Sequence, residues 1–227
     1  MSHVLRLIAA FAATLTLCAC DMVISEKPVF ESADMAGGPV LKSGIWADER
    51  CHLYAEPPRP PAAKCPQWWV VTPKEIRVVY DKSMAPDPAS PLPQTPSQYV
   101  LVGGRPPVAQ LGVQMPPGKN GETLLLYYFL AVDPTLLDDK GRIVEAGFWP
   151  VLCGPPAPTP KTAPPLQGSD QPKWNLPPAT LRPFPGITPG DLGCTPDGKA
   201  AVLNAAQPSR IFVEPVIRAH WVGPEKP

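Results

Sequence analysis

The sequence predicts a mainly β fold: an antiparallel meander sheet with long proline-rich loops, one short helix near the C-terminus and two disulfides. Three observations lead there. Proline takes 36 of the 227 positions, about three times its usual share, and each proline removes a backbone donor and fixes φ, which excludes long helices. Hydrophobic residues make up 44% of the chain, enough for a packed core rather than wholesale disorder. Between Gln98 and Cys153, short apolar runs alternate with period two and are separated by turn residues.

The elements follow in chain order. Ile45-Trp46 is a short strand candidate at the start of the folded part, near Gly44. Trp68 to Tyr80 carries two strand-like runs split at Pro73, and in the second Ile76, Val78 and Tyr80 share a face opposite Arg77 and Val79. Residues 84–96 hold five prolines among small and polar residues and read as a surface loop. Tyr99-Val100-Leu101-Val102 leads to a bend at Gly103-Gly104. From Val108, one face holds Ala109, Leu111, Val113 and Met115, and the other holds Gln110 and Gln114. Pro116 to Gly121 is a turn containing Asn-Gly. Thr123 to Val132 is apolar on both faces, the pattern of a central strand covered from both sides. Asp138-Asp139-Lys140-Gly141 makes the next turn, and Ile143 to Leu152 returns.

Residues 155–189 hold twelve prolines and are expected as an ordered, polyproline-like excursion over the surface, since Cys153 and Cys194 bracket them. Thr195-Pro196-Asp197 has the form of a helix start, Thr as cap and Pro at the first helical position. The helix then runs over Ala200 to Ala206 until Pro208 stops it. The last strand is Val216 to Val222, with Ile217, Ala219 and Trp221 inward.

The first residues carry an address. Arg6 and the amino terminus precede an apolar run from Leu7 to Leu17, the length of a signal-peptide core and short of the roughly 20 residues a membrane-spanning helix needs. Leu17-Cys18-Ala19-Cys20 then resembles the lipobox of bacterial prolipoproteins. That resemblance implies cleavage before Cys20, so that residues 1–19 are a signal peptide, and diacylglyceryl attachment to Cys20. The body would then be displayed at the cell envelope, facing the periplasm, with the membrane as partner through the lipid anchor. Asp21 resembles the inner-membrane retention residue of some Gram-negative lipoproteins; the choice between inner and outer membrane stays open. Residues 20–43 are expected as a lipidated N-terminus and tether, holding a single β-rich domain (44–227) roughly 25–30 Å from Cys20, or about 80 Å at full stretch. Pro28-Val29-Phe30 could instead dock on the domain. Its spacing to Cys20 and the Lys42 to Trp46 stretch resemble only uncharacterised bacterial lipoproteins.

With Cys18 removed and Cys20 acylated, Cys51, Cys65, Cys153 and Cys194 remain, an even number in an exported chain and therefore two disulfides. Three connectivities exist; Cys51–Cys65 with Cys153–Cys194 closes the shortest loops. No Cys-x-x-Cys pair is present, which argues against a zinc site, and no cofactor is expected.

Formal charge is +0 for the whole chain; Arg6 is the one basic residue in the signal region and no acid lies there, so the mature chain is near −1. That gives no electrostatic reason to bind nucleic acid. Apparatus for nucleophilic catalysis is missing from the sequence, with no Gly-x-Ser-x-Gly elbow. His52 and His220 are the imidazoles left after cleavage, and a site would need them to meet a carboxylate in the fold. Asp138-Asp139 read as turn residues. Trp68, Trp69 and Trp174 are the candidate binding residues, because adjacent Trp68 and Trp69 point to opposite sides of a strand and Trp174 lies in the excursion. The expected function is non-catalytic binding or envelope scaffolding by a lipid-anchored periplasmic protein, with an envelope protein or glycan as partner. The rivals are a cell-envelope hydrolase whose site assembles only in three dimensions, and a periplasmic inhibitor or accessory factor.

Overall fold

The computed structural model describes residues 22–49, 67–80, 96–115, 122–155, 182–190 and 192–225. Eight strands carry the architecture: β2 (Gly44–Asp48), β3 (Gln67–Val71), β4 (Glu75–Tyr80), β5 (Ser97–Val102), β6 (Val108–Gln114), β7 (Leu125–Leu137), β8 (Ile143–Pro150) and β11 (Ile217–Gly223). They pair antiparallel in the order β2-β3-β4-β5-β6-β7-β8-β11, and β11 returns to β2, so the sheet closes into a barrel. The expected meander is present; the open sheet becomes a closed one. Closure is the physical answer to edge strands, whose unpaired N–H and C=O groups invite association.

Alternation sets the two faces of the wall. Ladder partners share a face, and the pairs Trp46–Trp69, Val71–Ile76, Tyr99–Leu111, Ala109–Leu130, Val132–Phe148 and Ala219–Ala146 point into the lumen. Leu101, Val132 and Ile143 are fully buried there. Apart from Asp48, the ladder partner of Ala219, this interior is apolar, the reverse of a transmembrane barrel, where the lumen is polar and the outer belt apolar.

A second layer covers the outside of β5 to β8. It consists of the N-terminal segment with β1 (Ile24–Ser25), the hairpin of β9 (Ile187–Pro189) and β10 (Cys194–Pro196), and helix α1 (Lys199–Phe212). Val23, Phe30, Ile187, Val202, Ala205 and Ala206 pack against Val108, Phe129 and Ala131 of the wall. β7 therefore has core on both sides, which is why its sequence is apolar on both faces. Its continuation past Val132 to Leu137 passes Pro134 at a register shift, a place where a missing backbone donor is tolerated. The Cys153–Cys194 bridge, the expected pairing, fastens the end of β8 to β10. Cys51 and Cys65 lie outside the described residues, as do 156–181 of the excursion; Phe184 returns to the second layer with its N–H on the Cys153 carbonyl.

Two expectations need correction. Residues 22–43 are not a tether. Val23, Ile24, Phe30 and Leu41 are buried, β1 pairs with β7, and Met22 bridges to Leu152; the alternative, docking of the Pro28 to Phe30 patch, is what the structure holds. The clamp is Gln110, expected on a polar face yet only 3% exposed. Its Oε1 accepts from the N–H groups of Val29 (2.8 Å) and Phe30 (2.9 Å), and its Nε2 donates to the Phe30 carbonyl (2.9 Å). The outward face of β6 is polar because it hydrogen-bonds a second layer.

The helix also differs. Thr195 and Pro196 belong to β10, Gly198 is the N-cap, and α1 runs through Pro208 to Phe212. Contacts of the last turn outweigh the helix-breaking tendency of Pro208. Ser209 donates to the Ala205 carbonyl and accepts from the Leu152 N–H at 2.8 Å, while Arg210 pairs with Asp133 and lies over Trp149.

Gln110→Leu keeps the volume and removes all three clamp bonds, stranding buried backbone groups. The expected loss is about 3 kcal/mol, read as a lower urea midpoint with an unchanged slope.

Candidate functional site

One end of the barrel is sealed by the chain's own N-terminal segment. Leu41 inserts among Trp46, Tyr99, Val132 and Ile143, and Ile143 is hydrogen-bonded on both sides of it, donating to Val40 and accepting from Lys42. Two of the lumen's indole N–H groups turn to this segment: Trp46 Nε1 donates to the Lys42 carbonyl (2.8 Å) and Trp221 Nε1 to the Ser43 carbonyl (3.0 Å). Buried Trp46 thus satisfies its donor without water, and half-buried Trp221 does the same. The Lys42 ammonium lies 3.7 Å from the centroid of the Trp221 ring and 3.6 Å from Asp138. Gly44 must be glycine here: its φ is +135°, and a Cβ would collide with the Gly223 carbonyl and the Trp221 indole nitrogen.

Asp138 holds the sealed end from the β7–β8 turn. Its carboxylate accepts from the Arg142 guanidinium (2.6 and 2.9 Å) and from the N–H groups of Lys140 and Arg142 (3.0 Å each). The Arg142 side-chain bond is the largest cause, with the backbone donors behind it, holding this carboxyl well below its ordinary value of 3.8. Tyr99, deeper in the lumen, donates to the Thr72 carbonyl at 3.0 Å, and burial pushes its phenol up to about 12.

Away from the seal the packing changes. Trp69, Ile76, Leu111, Leu130, Phe148 and Ile217 pack on the lumen core but remain only half-buried. Phe148 and Ile217 are ladder partners near the end of β8 and the start of β11, the end opposite Ile143. Tyr128, the partner of Leu111, is also half-buried, and burial raises its phenol. The lumen is therefore a filled floor with a partly exposed apolar and aromatic layer above it. Eight-stranded barrels are just wide enough to be filled by side chains or to hold one small ligand.

Of the candidate binding residues, Trp69 lies in this layer and Trp68, its neighbour, faces outward on the same strand, both half-buried. Sequence reasoning marked that pair but missed Leu111, Phe148 and Ile217, whose convergence depends on pairings between distant strands. Trp149 stands on the outer wall beneath Arg210, packed against the core of the second layer. Cys20, His52 and Trp174 lie outside the described residues. His220 faces outward, with Glu145 and Ala47 as ladder partners, and the Glu145 carboxylate accepts the Thr135 hydroxyl at 2.8 Å. Among the described residues no group of three His, Cys, Asp or Glu could hold a metal ion, and no helix is long and apolar enough to cross a membrane.

Two shallow clefts lie in the second layer. One of about 370 Å³ sits between Gly186 and the start of α1, lined by Asp197, Lys199 and Asn204. Another, about 300 Å³, lies between the Gly104–Pro107 turn and α1, lined by Arg105, Asp133, Gln207 and Arg210. His220 lines neither. No protein-family model, curated protein or solved structure matches the chain.

Because the folded Asp138 carboxyl ionises more readily than the unfolded one, its contribution is present above pH 3.8 and is lost as the pH falls below that towards the depressed folded value. Asp138→Asn is expected to lower the thermal midpoint at neutral pH and to flatten its acid decline. A titration of midpoint against pH checks both.

Proposed function

We propose that this chain is a lipid-anchored periplasmic binding protein that takes a small apolar or aromatic molecule into the end of its barrel opposite the Leu41 seal. One observation carries the reading: inward-facing Trp69, Leu111, Leu130, Phe148 and Ile217 keep solvent contact above a floor that is fully packed. Burying such side chains is worth about 25 cal/mol per Å², so a partly wet aromatic ring of them is a standing affinity for apolar matter. Turnover plays no part in this reading; the role is capture or display at the envelope.

The anchor half of the proposal is supported by the lipobox-like Leu17-Cys18-Ala19-Cys20 stretch. Cysteines 153 and 194 in a disulfide suit an oxidising compartment. An accessory role towards another envelope protein is favoured by one feature. Val40, Leu136 and Leu137 are 45%, 55% and 53% exposed, and the register brings all three around the start of β8, at the sealed end.

Two measurements test the proposal. In a mature chain carrying Cys20→Ser, an apolar reporter dye is expected to saturate at one site and quench tryptophan emission. Ile217→Lys, with an unchanged circular dichroism spectrum as its control, is expected to weaken the dye about tenfold or more, roughly 1.4 kcal/mol; equal affinity in both would refute the mouth as the site. In cells, the unsubstituted chain is expected in the salt-washed membrane fraction and Cys20→Ser in the soluble one.

A further inference from the structure

We infer that the barrel lies directly on the bilayer surface, touching it through the tip of the β9–β10 hairpin, with Leu192 as the residue that enters the headgroup region. The inference rests on lipidation of Cys20, as proposed above, and deepens it from attachment to orientation.

The first support is the shortness of the chain between the lipidated cysteine and a fixed point. The described residues begin at Met22, whose carbonyl accepts from the Cys194 N–H at 2.9 Å and which bridges to Leu152. Cys20 is two residues earlier, and two residues span no more than about 7 Å fully extended. A tether from 20 to 43 would have let the body float; the docked segment leaves almost none of it. Acyl chains on Cys20 must enter the bilayer beside the point where Met22 is held.

The second support is what stands at that point. Val23 bridges Cys194 in parallel, so the chain running back from Val23 heads in the direction of Leu192 in the neighbouring segment. Leu192 is 50% exposed on a tight tip closed by the Gly190 N–H on the Gly193 carbonyl at 2.8 Å. A large apolar side chain at a hairpin tip gains little in water and much at an acyl boundary. The third support is rigidity. Cys194 is bonded to Cys153, Leu152 to Ser209 of α1, and β9 to β10 across three ladder pairs. The exit point is thus fixed to the body, and a short link to a fixed point sets an orientation as well as a distance. On the far side of the barrel, three strands away from β7 and β8 in either direction, the β3–β4 turn at Lys74 would face away from the lipid.

The test uses the full-length lipidated protein in phosphatidylcholine vesicles, with a nitroxide placed through Leu192→Cys or Lys74→Cys and its accessibility to oxygen and to a nickel chelate measured. The expected result is a several-fold higher oxygen-to-nickel ratio at 192 than at 74, lost when a long Gly-Ser spacer is inserted between Asp21 and Met22. Mass analysis of the N-terminal peptide runs alongside. A lipidated chain whose two nitroxides are equally aqueous overturns this inference and leaves the anchor standing. A chain without acyl groups on Cys20 overturns both.

Discussion

Everything in this molecule depends on β11 fitting between β8 and β2. Seven consecutive strands from β2 to β8 make a sheet with two edges, and the chain must travel through the excursion, a hairpin and a helix before β11 closes it. Closure decides which face becomes interior. Ala219 meets Ala146 on one side and Asp48 on the other, and Trp221 meets Trp46, so small side chains stand at one level of the seam and indoles at the next. The helix is delivered to the right place by the same strand: Val216 donates to the Phe148 carbonyl at 2.8 Å just before β11 begins. A closed wall has no dangling ladder to protect, and its outer surface becomes free to carry a second layer.

That second layer is assembled from weak formers of regular structure. The N-terminal segment contributes a two-residue strand and a short 3-10 turn, too little to be stable alone. Its backbone pairs with β7 at β1 and with Ile143 at Leu41, and between them, at Val29 and Phe30, it is satisfied by a side chain, the Gln110 amide. Asp34 of the 3-10 turn accepts from Lys199 at 2.7 Å, so the segment also braces the first residue of α1. At the other end of α1, Arg210 reaches Asp133 on β7 and Trp149 on β8. The helix is therefore held at both ends by charges and along its length by small residues, Ala201, Ala205 and Ala206, which let it approach the wall closely.

What the sequence made legible was the local part. Period-two alternation located β4, β5, β6, β8 and β11 within a residue or two, because the pattern is imposed by the pleat and needs no knowledge of partners; β7 was found but runs five residues beyond its expected end at Val132. Two-sided burial of β7 was readable for the same reason. Closure was not, since the β11–β2 pairing joins residues 45–48 with 219–223 and no local pattern encodes it. Docking of residues 22–43 was hidden because Val23, Ile24, Phe30 and Leu41 follow no period; they are spaced by an irregular path, and their anchor, Gln110, looks like an ordinary surface amide. Pro208 was a sound stop signal overridden by tertiary contacts of Ser209 and Arg210. At the mouth, the opposed directions of Trp68 and Trp69 could be read from adjacency, whereas the other members come from five different strands and meet only in the closed wall.

The stretch from Leu41 to Ser43 has a consequence of its own. A cylinder stoppered at the base by its own chain is no conduit: nothing can pass from one end to the other. The stopper is also covalently continuous with β2, so opening the base would mean stripping two indole donors from their carbonyls and pulling a leucine out of a dry interior.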